Sequence, residues 1–325
     1  MTAVGSAAPT PMPAPFTEID LPFADRRDGK VRVSYALGGE RRGERLFVTT
    51  DRLSAFDRII AGVAFKGQVL NQLSAWWFAQ TADIVANHVV EIPDPNVTIA
   101  RSATPLPVEV VVRGHITGVT DTALWTAYAR GDRTIYGHRL PDGLHKNDAL
   151  PHPIVTPTTK GTAGSHDVPV TCAEVAERGL VEPALWERVQ SAALAVFERG
   201  VDRGREAGLI LADTKYEFGV AESGELLLID EVHTPDSSRW WVADTYADRV
   251  AAGAEPESLD KEVVRRALAA VDFRGDGQIP MLDDDVWAAT TARYVDAYER
   301  LTGETFEYAD YPAGPRIRGA VAHLE

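Results

Sequence analysis

Two acidic side chains lie on either side of a tight turn in the segment 209–241. Two apolar runs in this segment flank Ser223-Gly224, a dipeptide that is typical of β-hairpin turns. If Ser223 and Gly224 form a two-residue loop, Glu217 lies directly opposite Asp230, with Cβ atoms about 4.5–5.5 Å apart. The sequence therefore predicts a pair of carboxylates that meet across a hairpin.

Two like charges that face each other in a sheet are destabilising unless another group compensates them. A hard divalent cation with oxygen ligands is a natural compensator, in particular Mg²⁺ shared with ligand phosphates. The alternation of a strand also places Asp213 and Lys215 on this face, so Lys215 is a second candidate for neutralising one carboxylate. Tyr216 and Phe218 then point the other way. An exposed strand face with solvated charges is the alternative interpretation.

The loop that follows the hairpin favours phosphate chemistry over a solvated face. Residues 234–239 read Thr-Pro-Asp-Ser-Ser-Arg, which supplies hydroxyls and the guanidinium of Arg239 directly after the carboxylate pair. Arg113 ends another apolar strand and is followed by Gly114, which allows a ligand to approach the backbone closely. An arginine in this position favours an anionic ligand.

Lys30 and Arg32 lie after a glycine in a stretch that reads as a strand, and alternation places both on one face. These cations are candidates for contacts with nucleotide phosphates. The sequence contains neither G-x-x-x-x-G-K-[ST] nor G-x-G-x-x-G, so the P-loop and Rossmann modes of nucleotide binding are excluded.

The elements that must position these residues predict an α+β fold. Strands are expected over 29–37, 46–50 and 107–113, and the 209–241 hairpin follows later. Helical periodicity covers 69–85, 183–206, 261–270 and 284–302. The stretch 131–167 is rich in Gly, Pro and His, so we expect a long irregular connection there.

Composition restricts the class of protein. The chain has 325 residues and a formal net charge of −15, which argues against nucleic acid or an anionic membrane as the main partner. Apolar runs are too short to cross a bilayer, and the N-terminus lacks the pattern of a secretory signal. The single cysteine, Cys172, excludes an internal disulfide and favours the reducing cytoplasm.

Taken together, these blocks resemble the SAICAR synthetase family of ATP-dependent ligases. The resemblance covers roughly residues 25 to 305 and is carried, in family order, by GKVR (29–32), TDRLSAFD (50–57), KGQVLNQLS (66–74), VRGHITG (112–118), TPTTK (156–160), LADTKYEFG (211–219), IDEVHTPDSSRW (229–240) and LDK (259–261).

The resemblance implies that ATP phosphorylates the carboxylate of carboxyaminoimidazole ribonucleotide, and that the amine of L-aspartate then displaces phosphate to give a succinocarboxamide in purine biosynthesis. It also implies an N-terminal antiparallel β domain packed on a larger α/β domain, with ATP in the cleft between them. We therefore expect a disordered leader over 1–16, an ATP-binding domain over 17–112, a substrate and Mg²⁺ domain over 113–306, and a loosely held tail over 307–325.

The resemblance further implies roles for individual residues. The carboxylates of Glu217 and Asp230 are expected to hold Mg²⁺, and Asp230 is also expected to act in catalysis together with Asp213 and Lys215. Contacts with ATP are expected from Lys30, Arg32, Glu109 and Lys160. The ribonucleotide, and its 5′-phosphate in particular, is expected to be held by Arg113, Ser238 and Arg239, with Ser237, Ser54 and Asp57 as further substrate-binding residues.

The chain departs from the family pattern at two places that keep other functions open. Val33 replaces the aspartate of a common GKVRD motif, and three acidic positions of the 161–171 loop are replaced by Gly161, Ser165 and Val168. A specialised paralogue that ligates a related heterocyclic carboxylate in nucleoside natural-product biosynthesis is one alternative. A non-catalytic nucleotide-binding homologue is another, which the retained lysines, carboxylates and arginine disfavour.

Overall fold

The computed structural model describes residues 8–9, 11–56, 58–119, 123–160 and 168–324. The N-terminal part is built on an antiparallel sheet whose strand order is β1-β2-β3-β7-β6. A separate hairpin, β4-β5, and helix α1 (Lys66–Gln80) lie between β3 and β6 in the chain. The strands are β1 (Ala24–Asp28), β2 (Arg32–Ala36), β3 (Glu44–Thr49), β4 (Arg52–Ala55), β5 (Arg58–Gly62), β6 (Val89–Asp94) and β7 (Val97–Arg101).

A second antiparallel sheet is centred on the long strand β15, which pairs with β8, β9, β16 and β17. Its strands, together with the small β10-β11 ribbon, are β8 (Ala103–Pro105), β9 (Val108–His115), β10 (Thr134–Ile135), β11 (His138–Arg139), β12 (Ala149–Val155), β13 (Thr158–Thr159), β14 (Val168–Pro169), β15 (Leu209–Ala221), β16 (Leu226–Ile229) and β17 (Ser238–Val242). Strands and helices are therefore mixed in the way that an α+β fold requires.

Helices cover the second sheet and one side of the first. They are α2 (Leu124–Ala129), α3 (Cys172–Glu177), α4 (Pro183–Glu206), α5 (Ala243–Ala251), α6 (Glu262–Ala270), α7 (Asp284–Thr302) and α8 (Ala313–Val321). The predicted bounds of α4 and α7 match the structure, because Pro183 occupies the first turn of α4 and Gly303 ends α7 with a φ of 74°.

The hydrophobic core is continuous around β15 and α1. Tyr216 and Phe218 point from β15 into this core and are fully buried, which agrees with the predicted alternation of that strand. Trp77 of α1 and Trp240 of β17 pack there with stacked rings 6.3 Å apart. Because one face of β15 is committed to the core, its opposite face is available for polar side chains.

The change from one sheet to the other falls between Arg101 and Ala103. This is earlier in the chain than the expected boundary after Val112, a residue that lies inside β9 and so belongs to the second sheet. An apolar strand is equally compatible with either sheet until its pairing partner is known, so the sequence alone does not locate this change.

The two ends of the chain differ from what composition predicted. The expectation of a loosely held tail is wrong, because α8 packs on the first sheet and buries Ala313, Ile317 and Val321. The predicted leader includes Phe16, whose side chain is buried in the same cluster; residues 1–7 and 10 lie outside the described part of the chain.

Candidate active site

A cavity of about 270 Å³ lies between the first sheet, α1 and the β15-β16 hairpin. The first sheet contributes Arg32 and Phe47, and the hairpin contributes Glu217 and Asp230. The cavity wall therefore combines apolar side chains such as Phe47 with cations of the first sheet and carboxylates of the hairpin, which suits a ligand with a flat base and phosphates.

The hairpin register is shifted by one residue from the predicted one. Glu217 is paired with Ile229, and Asp230 follows the end of β16. The prediction of a directly opposed pair is wrong because the turn is longer than two residues: Ala221 N donates to Glu225 O at 2.9 Å, and Gly224 adopts a φ of 84°.

Asp230 nevertheless reaches the same side of the sheet as Glu217. Its φ of 69° lies in the left-handed region, where aspartate is one of the few non-glycine residues that occur. Both carboxylates surround the ammonium of Lys215, whose Nζ lies 2.7 Å from Glu217 Oε1 and 3.6 Å from Asp230 Oδ2. In the structure, Lys215 compensates these carboxylates, as one of the two predicted arrangements proposed.

Three further residues from the predicted set converge on this cluster. Arg32 donates to Asp230 Oδ1, and Lys160 donates to Glu217 Oε2. Glu109 on β9 lies 3.2 Å from Lys215 Nζ. We call this group of Arg32, Glu109, Lys160, Lys215, Glu217 and Asp230 the carboxylate end of β15. Lys30 is exposed in the turn before β2, because that strand begins later than predicted, at Arg32.

The charges of this group determine its protonation. Burial alone would raise the pKa of Asp230, but the cations Arg32, Lys215 and Lys160 hold that pKa below its usual range. Burial opposes the charge of Lys215, yet the surrounding carboxylates raise its pKa well above the usual value. Both groups are therefore charged at neutral pH.

Arginine side chains converge on one carboxylate at the other end of the polar face of β15. Asp213 Oδ2 accepts a hydrogen bond from Arg239 Nη1 at 2.5 Å and lies 3.3 Å from Arg113 Nη1. Arg113 Nε also donates to Thr156 Oγ1 at 2.8 Å. We call Arg113, Asp213 and Arg239 the arginine end of β15. One buried carboxylate thus orients two guanidinium groups that carry further N–H donors.

The predicted hydroxyl residues have different positions. Ser238 is buried, and its Oγ lies 2.7 Å from Thr214 Oγ1, whereas the carbonyl of Ser237 accepts from Lys215 N at 2.9 Å. Ser54 lies half-buried on β4, and no hydrogen bond in the described chain joins its side chain to either end of β15. Asp57 lies outside the described residues.

Sequence reasoning did not single out a buried ion pair that supports the 234–239 loop. Lys66 Nζ lies 2.7 Å from Asp236 Oδ2, and Tyr294 donates to Asp236 Oδ1 at 2.6 Å. Lys66 is fully buried at the start of α1, where a lysine gives no periodic signal. Glu231 was also missed; it lies 3.3 Å from Arg32, and burial raises its pKa. Its only sequence signal was its position next to Asp230.

The carboxylate end fits a magnesium ion that is bound by two carboxylates and by the oxygens of a phosphate ligand. Within the described ranges, no group of three or more His, Cys, Asp or Glu side chains is arranged to hold a metal by itself. Two carboxylates are sufficient for Mg²⁺ when phosphate oxygens and water complete its coordination. Glu217 and Asp230 meet that requirement.

None of the described helices has the length and apolarity needed to span a membrane.

The chain belongs to the SAICAR synthetase family, whose model matches residues 25–282. This result confirms the family resemblance that the sequence motifs carried. It also places both ends of β15 inside the region that defines the family.

Individual relatives support the assignment over most of the chain. A phosphoribosylaminoimidazole-succinocarboxamide synthase of Legionella pneumophila is 46% identical over 305 residues, which cover 94% of this chain and 96% of that protein. A chloroplastic synthase of the same name from Vigna aconitifolia is 55% identical over 73% of this chain and 68% of its own length. The structure of a SAICAR synthase from Saccharomyces cerevisiae in complex with SAICAR superposes with a TM-score of 0.77 at 33% identity, over 90% of this chain and 100% of that one.

These relatives carry the name of the synthase, so they favour the ligase over a specialised paralogue or a non-catalytic homologue. The α+β fold expected from the resemblance is likewise confirmed by the yeast structure.

Proposed function

We propose that this protein condenses carboxyaminoimidazole ribonucleotide with L-aspartate, using ATP, to give SAICAR, ADP and phosphate. A carboxylate is a poor acyl donor because its leaving group would be oxide. Transfer of the γ-phosphoryl group of ATP to the carboxylate oxygen gives an acyl phosphate, from which phosphate can leave. The aspartate nitrogen then forms the amide bond as the C–O bond to phosphate breaks.

The observation that carries this proposal is the distribution of charge along β15. The carboxylate end combines acidic and basic side chains beside the cavity, whereas the arginine end presents two guanidinium groups around Asp213. A reaction that transfers a phosphoryl group from Mg-ATP to a substrate with its own phosphate needs one site for each of these two ligands. The two sites must lie within about one strand length of each other.

The residues of the carboxylate end position ATP for phosphoryl transfer. We assign Arg32 and Lys160, with Lys30 in the turn before β2, to the phosphates of ATP, and Glu217 and Asp230 to Mg²⁺, which when bound supplies positive charge to the phosphates. Lys215 lies between both carboxylates, and in our proposal its ammonium would donate to the oxygens of the transferred phosphoryl group.

The arginine end binds the ribonucleotide. We assign Arg113 and Arg239 to its 5′-phosphate because both are held in a fixed orientation by Asp213. Ser238 and Ser237 line the same loop. Burial raises the pKa of the Cys172 thiol to about 11, so we do not assign this cysteine a role as a nucleophile.

The proposal is tested by incubating the purified protein with ATP, Mg²⁺, L-aspartate and carboxyaminoimidazole ribonucleotide. We expect the succinocarboxamide and ADP to form in equal amounts, and EDTA to abolish both. ADP release without the succinocarboxamide, or turnover that EDTA leaves unchanged, would contradict the proposed reaction.

A further inference from the structure

Residues 307–311, which we call the C-terminal segment, lie against the first turn of α1. Phe65 precedes this helix and has no side-chain oxygen that could cap it, and its backbone nitrogen donates to Tyr311 Oη at 3.2 Å. The same hydroxyl donates to Asp51 Oδ2 at 2.8 Å, and Asp51 Oδ1 accepts from Gly67 N at 2.9 Å. Two N–H groups at the start of α1 are thus satisfied by side chains that are distant in the sequence.

The side chain of Gln68 joins α1 to the C-terminal segment a second time. Its Nε2 donates to Glu307 O at 2.7 Å, and its Oε1 accepts from Ala309 N at 3.1 Å. Gln68 is fully buried, and a buried amide that bonds both an acceptor and a donor of one segment fixes the orientation of that segment. The rings of Phe65 and Tyr311 also pack together, with centroids 4.5 Å apart. These contacts hold the first turn of α1 and the C-terminal segment as one unit.

The same turn carries Lys66, which connects it with the proposed ribonucleotide site. Lys66 Nζ lies 2.7 Å from Asp236 Oδ2 and donates to Arg52 O at 3.1 Å. Asp236 belongs to the loop 234–239, which ends at Arg239 in the arginine end of β15. Because Lys66 is fully buried in a turn that the C-terminal segment holds, the position of that turn determines where its ammonium meets the loop.

We propose that the C-terminal segment is a positioning element of the active site, in which Tyr311 and Gln68 act through Lys66 on the loop that contains Asp236. This inference rests on the proposed ligase function. It gives a role in the reaction to a segment that lies beyond residues 25–282, the range that the family model matches. Loss of either anchor lets the first turn of α1 move, so that Lys66 holds the loop less tightly. The segment itself touches no substrate in this proposal.

Hydrogen exchange tests the positioning role without any substrate. The amides of Ser237 and Ser238 donate to Thr234 O at 3.2 Å and 2.9 Å, so their exchange rates report how well this loop is held. We expect Tyr311→Phe, which removes only the hydroxyl, to speed the exchange of these two amides about 3–10-fold, the effect of losing one hydrogen bond. Gln68→Met, which removes both amide bonds at similar length, is expected to do the same.

Ile317→Ala is the matched control, because Ile317 is buried on α8 in the apolar cluster of the first sheet. We expect this change to lower the Tm at least as far as Tyr311→Phe, since it leaves a cavity in a core. The bonds at α1 remain, so the exchange of Ser237 and Ser238 should stay at the wild-type rate. Equal acceleration in the control, or wild-type exchange in both Tyr311→Phe and Gln68→Met, would overturn the positioning role.

Steady-state kinetics measure the consequence for the reaction. We expect Tyr311→Phe and Gln68→Met to raise the KM of the ribonucleotide about 3–10-fold and to change kcat less, because the loop ends at the arginine assigned to the 5′-phosphate. Ile317→Ala should keep the wild-type KM at temperatures well below its Tm. A fall in kcat with an unchanged ribonucleotide KM would contradict action through this loop.

The route through Lys66 is tested by combining Tyr311→Phe with Lys66→Met. The double variant should have the ribonucleotide KM of Lys66→Met alone, since two changes that act through one contact are not additive. Additive effects would overturn the route. If Lys66→Met does not fold, the exchange and KM results for Tyr311→Phe and Gln68→Met decide the proposal. Absence of turnover in the wild-type protein would overturn the proposed reaction, whereas the exchange experiment would still decide whether the C-terminal segment positions the loop.

Discussion

The two ends of β15 hold charge in different ways. At the arginine end, the side chains of Asp213 and Arg113 are 7% and 10% exposed, and one carboxylate serves two guanidinium groups. At the carboxylate end, Lys215 and Asp230 are 28% and 27% exposed, and several acids and bases share partners. In the first arrangement both guanidinium groups depend on one buried carboxylate, whereas in the second each acid and base has more than one partner, so one contact can break while others persist. A rigid site suits recognition, and an exchangeable one suits a step in which charge moves.

The largest effect is expected from Asp230→Asn, which removes one proposed metal ligand. We expect kcat to fall by roughly 10³-fold or more, since loss of one preorganised electrostatic group typically costs about 10²–10³. The unfolding free energy should change little, because the site is partly exposed and rich in charge. Glu222→Gln, on the exposed turn of the same hairpin, is the control and should keep wild-type activity. Near-normal turnover in Asp230→Asn would remove it from the metal site.

The buried carboxylate of the arginine end is expected to matter for stability. Asp213→Asn leaves Arg113 and Arg239 without their counter-charge, so we expect the unfolding free energy to fall by about 3–5 kcal/mol. Glu217→Gln should cost less, because Glu109 and Asp230 still lie beside the ammonium of Lys215 after the change. Urea denaturation of both variants measures the difference. Equal losses would show that the two ends do not differ in rigidity.

Recognition at the arginine end is expected to be selective among substrates. Arg239→Ala should raise the KM of the ribonucleotide about 10–100-fold, because losing a charge-assisted hydrogen bond weakens binding by about that factor. The KM of Mg-ATP should stay nearly unchanged. Arg205→Ala is the control, because Arg205 pairs with Asp202 on the surface of α4. A parallel rise in both KM values would place Arg239 in a structural role instead.

Asp51 provides a third kind of buried carboxylate, held mainly by uncharged donors. Its oxygens accept from Phe16 N at 2.8 Å, Gly67 N at 2.9 Å and Tyr311 Oη at 2.8 Å. Burial raises its pKa to about 6, so the folded state binds a proton more tightly than the unfolded state.

The contribution of Asp51 to stability is therefore largest below its unfolded pKa and decreases as the pH rises through about 6. Relative to Asp51→Asn, we expect the wild type to lose about 2 kcal/mol of unfolding free energy between pH 4.5 and 7. Urea titrations of both proteins at the two pH values measure this loss. A difference that is constant with pH would indicate that Asp51 keeps an ordinary pKa.

Patterns with a short period were predicted well from the sequence. The alternation along β15 placed Asp213, Lys215 and Glu217 on the polar face and Tyr216 in the core, because successive side chains of a regular strand point to opposite faces. The hairpin register was wrong by one residue, since turn length depends on backbone angles at Gly224 that the dipeptide alone does not specify.

Contacts between distant segments were not predictable from local patterns. The Lys66–Asp236–Tyr294 cluster joins three segments that are far apart in the chain, and no spacing rule connects them. The left-handed backbone of Asp230, which brings it to the same face as Glu217 despite the shifted register, is likewise a product of the tertiary structure.

Helix α8 has a consequence for how this protein is made. Ala313, Ile317 and Val321 complete the apolar cluster of the first sheet, which also contains Phe16, Val33 and Ile99. During synthesis, the hydrophobic surface of the earliest strands stays uncovered until residues 313–321 have left the ribosome. A chain truncated before α8 would expose that surface, so we expect such a product to aggregate.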